Sequence, residues 1–510
     1  MAIFQNIQVE LGVSLEQLLL ELDPEMKSYR VLKKSLDARR KSRIVHVYTV
    51  ETFPTAEIPP FDRENLKSYS SSEHNAPTTV IIGAGPAGLF AALRLVARGM
   101  PCQILERGKA LGPRMRDISA HWRKGIINPD SNVCFGEGGA GCFSDGKLIT
   151  RIKSPHKNYV MQELVRFGAP EEILYMANPH VGSNKIRGII NNLIAYLQSN
   201  GCPVRFNSRV EDFILENNKI KSVVLADGTT VSGDRFVLAT GHSAHDVFEK
   251  LFEKGIDTEA KSMAMGFRIE HEQKWLNLAQ FGSQWEHPDL PVANYKVTHH
   301  NNESNTGVYS FCMCPGGYVL PSSAQSGQMV VNGMSNYNHG SPFANSGIVV
   351  SIDKDKWFKE GPQAALKFQS EIERRTQDLV INAGGTREVP VQKARDFIGN
   401  RVTPAGKSSC PSGVIAVNLR EIYPEEINKA LIEALQSFDR KMPGFMSSDA
   451  LLHGVESRTS SPVRVLRDPE KLCSTNVSNL YPSGEGAGYA GGITSAAVDG
   501  IRMAEAIFLT

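Results

Sequence analysis

An α/β fold built on a parallel nucleotide-binding sheet, with a mixed α+β insertion and a small α+β module at the front, is predicted by three observations. The first is Thr79-Val-Ile-Ile-Gly83-Ala-Gly85-Pro86-Ala87-Gly88-Leu89, an apolar strand that runs into GxGxxG and out into a helix. The second is Arg235-Phe-Val-Leu-Ala-Thr240-Gly241, an apolar strand closed in mid-chain by a small residue and a glycine. The third is Leu480-Tyr-Pro-Ser-Gly484-Glu485, which stands just ahead of a last helical stretch.

In the first motif, Gly83 allows the tight turn, Gly85 lets the backbone close on a pyrophosphate, and Gly88 lets the helix sit against the strand. Phosphate charge then meets free N–H groups at the positive helix end. Leu89, Ala92, Leu93 and Val96 recur at helical spacing before Gly99 stops the helix. Cys102-Gln-Ile-Leu-Glu106 reads as the next strand, with Glu106 placed about 20 residues beyond the fingerprint, where an acid holds a ribose hydroxyl. On these residues alone NAD and FAD fit equally. GxGxxG recurs at Gly136–Gly141 and Gly486–Gly491. The first recurrence follows the polar run Asn128-Pro-Asp-Ser-Asn and reads as a loop. The second lacks a return strand with its own acid before Thr510, so neither is expected to be an independent nucleotide fold.

A chain of 510 residues has room for two or three domains, and its 41% hydrophobic and 22% charged content is that of a soluble globular protein. A net charge of +2 makes no global case for nucleic acid or an anionic membrane. No apolar run approaches the roughly 20 residues of a membrane span. The start, Met1 to Glu10, lacks a basic region followed by an apolar one, so the expected setting is cytoplasmic. Eight scattered cysteines form neither a disulfide framework nor zinc-spaced CxxC pairs, which predicts reduced thiols and no metal site.

In chain order, residues 1–54 read as the small module, with a helix from Ser14 and a strand at Ile44–Val50. Residues 55–77, rich in Pro and Ser, read as a linker. The basic run Lys33–Arg43 could touch RNA or an acidic partner. The plainer reading is a solvated helix face and turn, because no aromatic residues are interleaved for stacking. The nucleotide domain occupies 78–254, where Lys185–Leu197 is an amphipathic helix and Val204–Val210 and Ile220–Gly228 are strands. Residues 255–460 form the insertion, with strands at Met265–Glu270, Gly307–Cys314 and Gln328–Gly333, and 461–510 complete the nucleotide domain.

Taken in order, the three opening marks resemble those of the two-dinucleotide-binding-domain flavoproteins, the glutathione-reductase-like and hydroxybenzoate-hydroxylase-like FAD enzymes. More closely, the chain resembles a bacterial group of largely uncharacterised FAD-dependent dehydrogenases. The stretches that carry this resemblance are Ser131–Lys147, Gly241–Asp246, Phe311–Gly317, Glu456–Arg464 and Tyr481–Ile493, and the N-terminal module also looks like the group's. Cys142 departs from it, standing where a hydroxyl-bearing residue is expected. The resemblance implies a Rossmann-like FAD-binding domain, with a substrate domain inserted as an antiparallel floor. It places the pyrophosphate on Gly83, Gly85, Pro86, Ala87 and Gly88, the ribose on Glu106, and adenine or phosphate near Arg107 and Arg114. Val210 stands like the backbone clamp on adenine, and Gly138, Gly139, Thr240 and Gly241 are expected at the cofactor. Gly484 and Glu485 stand where the superfamily puts an Asp-bearing strand end near the ribityl chain and phosphate, and Gly492 and Ile493 open a helix aimed at the flavin.

Cys312 and Cys314 share one face of a strand, so they could form a redox pair or flank a substrate, with Cys314 taken as the catalytic candidate. Two small half-buried thiols are the preferred reading, because CxC lacks the helix N-terminus that activates CxxC. His242 is expected near the domain surface, while Arg458 and Arg464 bracket a Ser/Thr/Pro loop. A cation beside the flavin could bind a carboxylate or enolate, or stabilise charge on the ring, whereas the plain alternatives are structural ion pairs and a scaffold histidine. The expected function is an FAD-dependent oxidoreductase that transfers a hydride between a small organic substrate and flavin N5, with NAD(P)H as a transient reductant needing no second fingerprint. Two alternatives stand beside it: a flavin monooxygenase using NAD(P)H and oxygen, and a flavoprotein acting on RNA or as a redox-sensing partner. The expected partner is a small molecule, with neither nucleic acid nor membrane, and the oligomeric state stays open.

Overall fold

The computed structural model describes residues 2–59 and 77–509, so most of the expected linker at 55–77 lies outside the described residues. At the front, Ala2–Glu10, Val45–Phe53 and Ser28–Asp37 form an antiparallel sheet in that spatial order, with the helix Leu15–Leu22 beside it. Ser14 caps the helix by accepting the Gln17 N–H, and Leu19, Ile7, Val9, Met26 and Val50 make a small core. Lys33 and Lys34 therefore lie on a strand, a correction to the expected helix face. One edge of that strand pairs with Val45–Phe53, and Lys34 bonds through its backbone to Tyr175 and Ala177.

The central sheet is parallel and five-stranded, in the order Leu480–Pro482, Arg235–Leu238, Thr79–Ile82, Cys102–Leu105 and Val204–Arg205. Four distant parts of the chain supply it, and its apolar strands are buried, as a sheet covered on both faces requires. The expected strand 204–210 is in fact two. Asn207 adopts φ +54°, which breaks the strand, and Val210–Glu216 joins a separate antiparallel sheet with Lys219–Leu225 and Thr230–Ser232. The fingerprint helix Pro86–Ala97 packs against the last helix, Ile493–Leu509. Gly500 permits this close crossing, since a Cβ there would stand 2.1 Å from the Ala87 carbonyl oxygen.

The second sheet has seven strands in the order Thr298–Asn301, Thr306–Cys314, Phe343–Ile352, Met263–Glu272, Leu451–Glu456, Val389–Lys393 and Val414–Ala416. All neighbours are antiparallel except the last pair. The helix Glu425–Lys441 packs against this sheet, and the helix Pro362–Asn382 packs on its Val389–Lys393 and Leu451–Glu456 strands. The strand expected at 328–333 begins at Val331 and pairs with Gly317–Pro321 in a separate two-stranded sheet. Thr258–Ala260 and Val463–Val465, where the chain passes between the two large sheets and returns, pair antiparallel with each other. No helix among the described residues is long and apolar enough to cross a membrane.

Candidate cofactor and active site

Four loops leave the C-terminal ends of parallel strands after Ile82, Leu105, Leu238 and Pro482, and all open onto one cavity of about 370 Å³. Two helix starts end at its wall. Leu89 N already bonds Gly85 O and Ala496 N bonds Gly492 O, which leaves the N–H groups ahead of them without a helical partner. Gly85, Pro86 and Ala87 line the cavity at one start, Gly492 and Ile493 at the other.

Glu106 accepts the Ala84 N–H at 2.8 Å on one oxygen, and the Gly108 and Gly136 N–H groups, each at 2.9 Å, on the other. A carboxylate offers about four acceptor positions, so one remains for a ribose hydroxyl. Arg107 lines the cavity with its guanidinium 4.2 Å above the Phe135 ring, held by Asp130 at 3.0 Å and Asp246 at 2.9 Å. Val210, Thr240 and Gly241 also line the wall. Among the described residues, no neighbouring atom lies within 4 Å of where a Cβ would stand on Gly241, Gly491 or Gly492, so their backbone is open to a ligand. Two N–H-rich helix starts, a free carboxylate acceptor and bare glycine backbone fit a dinucleotide cofactor.

Several expected contacts serve the cavity from behind. Arg114 is fully buried and donates to the carbonyls of Asn132, Val133, Glu137 and Gly139 at 2.6–3.0 Å, so it shapes the second glycine-rich loop and does not face adenine or phosphate. Gly138 packs on Cys142 and Ile190, and Gly88 on Gly83. Gly484 stands against Ala87, its N–H bonded at 2.8 Å to Asp499, which Arg467 holds in turn at 2.8 Å. Gly139 lines the cavity beside Gly85.

The remaining wall brings together groups from both large sheets and the loops between them. Arg458 lines it, with a bidentate bond to buried Glu373 at 2.9 and 2.7 Å, and its other terminal nitrogen meets no hydrogen-bond acceptor among the described residues. Burial favours the neutral forms of this pair, but mutual attraction overrides it, holding Arg458 above and Glu373 below their ordinary values. His242 is in the cavity wall and not on the domain surface. Burial, reinforced by Arg458, pushes it down to about 3, so the ring is neutral. Its Nε2 is 3.7 Å from Glu485, which burial pushes up to about 7 despite the pull of Lys261. Arg464 does not reach the cavity. It pairs with Glu259 at 3.1 Å, the two side chains 37% and 39% exposed.

Cys314 is fully buried, and Cys312 is the one of the pair that lines the wall, with Phe311 and Asn332, while Cys134 lines the cavity elsewhere. Lys147, which the sequence reading missed, also lines the cavity, 2.9 Å from buried Asp145. Burial opposes charge on both, yet each keeps the other ionised, with Asp145 well below and Lys147 above the ordinary range. Asp145, His180 and His339 bring three ligand atoms within 4.8 Å of one another, but the Lys147 ammonium already stands at the cation position beside Asp145, so no metal centre is assigned. Lys147 ends the Ser131–Lys147 stretch that carried the resemblance, and that was the signal available for it. Glu373 had none, being one carboxylate among the many charges of its helix.

The family described as FAD-dependent protein, C-terminal domain-like, matches residues 262–459. A domain of unknown function matches 17–53, and the NAD(P)-binding Rossmann-like domain matches 81–132. An uncharacterised protein of Clostridium beijerinckii is 39% identical over 492 residues, 94% of this chain and 91% of its own. Among solved structures, the halogenase PltM is similar at 10% identity and a TM-score of 0.41, over 84% of this chain and 69% of its own. The tetracycline destructase Tet(51) is similar at 12% and 0.34, over 85% and 82%. These structural likenesses are too slight to bear on the chemistry. The chain belongs to one family with the Clostridium beijerinckii protein, and its domain at 262–459 marks it as an FAD-dependent flavoprotein.

Proposed function

We propose that this flavoprotein is an oxidoreductase that moves a hydride between a small organic substrate and FAD. The observation that supports this reading is that one cavity holds both the glycine cradle and the polar wall of Lys147, Glu485, His242 and Arg458. A substrate and the cofactor would therefore share one space. Bound FAD supplies hydride acceptance and donation. The chain's own groups set the surroundings. The start of the helix at Ile493 favours negative charge nearby. Lys147 is a fixed cation that can hold an anionic group of a substrate. Glu485 titrates near neutrality, so it can hold or release a proton beside neutral His242. A cytoplasmic setting with reduced thiols accords with this reading.

Anaerobic reduction of the flavin, followed at its visible band with NADH, NADPH and a panel of amino, hydroxy and unsaturated acids, tests it. Bleaching by one acid class identifies the donor. Bleaching only by NAD(P)H moves the reading to a reductase or monooxygenase, and protein that neither carries nor binds flavin removes it.

A further inference from the structure

The strand Thr306–Cys314 loses regular register between Phe311 and Cys314, and Cys312 adopts φ +43°. A bulge of this kind re-aims side chains, and a non-glycine residue in the left-handed region is uncommon. Here it undoes the expected alternation. Cys312 is delivered to the cavity wall, while Cys314 stays fully buried with its thiol donating to the Cys312 carbonyl at 3.2 Å. Two cations grip the same short stretch. Buried Arg268 donates to the Cys312 carbonyl at 3.2 Å and lies 3.9 Å from Cys314 Sγ, and Lys147 donates to the Met313 carbonyl.

We propose that Cys312 and Cys314 form a dithiol–disulfide couple in the wall of the cofactor cavity, with Cys312 as the thiol that attacks a small-molecule disulfide. The Cys312 thiolate bonds to one sulfur of R–S–S–R, the original S–S bond breaks, and RS⁻ leaves. Cys314 then attacks Cys312 Sγ, closing the protein disulfide and releasing the second R–S group, with the Cys314 proton going to one of the two leaving thiolates. Two protein thiols are oxidised and one disulfide is reduced to two thiols.

The groups facing Cys312 favour this role. Its nearness to the Cys314 thiol lowers its pKa, as do the charges of Lys147 and Arg268, against burial and the charge of Asp145. Glu485 lines the same cavity, its carboxyl raised by burial, with the charge of Cys312 adding to the rise. The cation set supplies the activation that a CxC pair lacks without a helix N-terminus. Thiol–disulfide exchange at Cys312 proceeds whichever substrate reduces the flavin.

The test uses full-length protein as purified, with its flavin content measured, and hydroxyethyl disulfide as the probe. Peptide mass spectrometry should show the 312–314 fragment losing two hydrogens, and Cys312 reacting about tenfold or more faster than half-buried Cys134 and Cys473. Cys314→Ser should stop at a mixed disulfide on Cys312, and Cys312→Ser should leave Cys314 unmodified. Cys312 that reacts no faster than Cys134, or a wild-type mixed disulfide that Cys314 never resolves, overturns the proposal. Disulfide closure in protein that binds no flavin would remove the oxidoreductase reading and leave this one standing. Flavin reduced by an acid with Cys312 inert would do the reverse.

Discussion

Glu106 Oε1 accepts the Gly136 N–H at 2.9 Å, which ties the end of the second parallel strand to a glycine-rich loop 30 residues further along the chain. Because the same carboxylate also takes the Ala84 and Gly108 N–H groups, it joins three segments at the mouth of the cofactor cavity. Glu106→Gln puts an amide NH₂ where an N–H must be accepted. The expected loss is about 1–3 kcal/mol, together with reduced FAD retention, read from denaturant melts and the flavin-to-protein ratio.

Arg114 acts on the same loop from below. Replacing it with Met leaves four carbonyls without their donor, and the expected destabilisation is about 3 kcal/mol or more. FAD affinity should fall with it. Its dependence on salt should stay as in wild type, because Arg114 does not touch the cavity, and a flattened salt dependence would assign it to phosphate after all.

Gly139 sits at φ +65°, and a Cβ there would stand 3.0 Å from Gly85 Cα. Gly139→Ala should cost about 1–2 kcal/mol of stability. The protein should stay folded by circular dichroism and bind FAD about tenfold or more weakly in a flavin titration. Unchanged FAD affinity would show that the second glycine-rich loop does not meet the cofactor.

Arg458 and Arg464 bracket one loop but should behave as opposites. Arg458→Ala strands the buried Glu373 carboxylate and is expected to destabilise by about 3–5 kcal/mol, whereas Arg458→Ala combined with Glu373→Gln recovers much of that loss. Arg464→Ala breaks a surface ion pair and should cost less than about 1 kcal/mol, with flavin reduction unchanged. Chemical denaturation of the four proteins checks both statements.

The pH dependence of Glu485 has a defined sign in protein stripped of flavin. Its folded value of about 7 lies above the ordinary 4.5, so between them the folded state holds a proton that the unfolded state has released. Stability therefore falls as pH rises through that window, and Glu485→Gln removes the loss. The variant should exceed wild type by about 1–3 kcal/mol near pH 8 and match it near pH 4. An equal difference at both values would rule out burial of the carboxylate as the cause.

The sequence by itself determined the cradle. Gly83, Gly85, Gly88, Glu106 and the apolar strands before them are readable because turns, close backbone approach and strand periodicity are local demands on residue type. Only the tertiary structure decided what closes around that cradle. Arg114 and the loop it holds, Lys147 fixed by Asp145, and Arg458 paired with Glu373 85 residues away are matches between segments that no local pattern announces. The cysteines show the limit most plainly. Strand alternation put Cys312 and Cys314 on one face, and one register shift in the folded sheet turned Cys312 to the cavity while leaving Cys314 buried, because a side chain's face in a strand reverses with a single residue of slip.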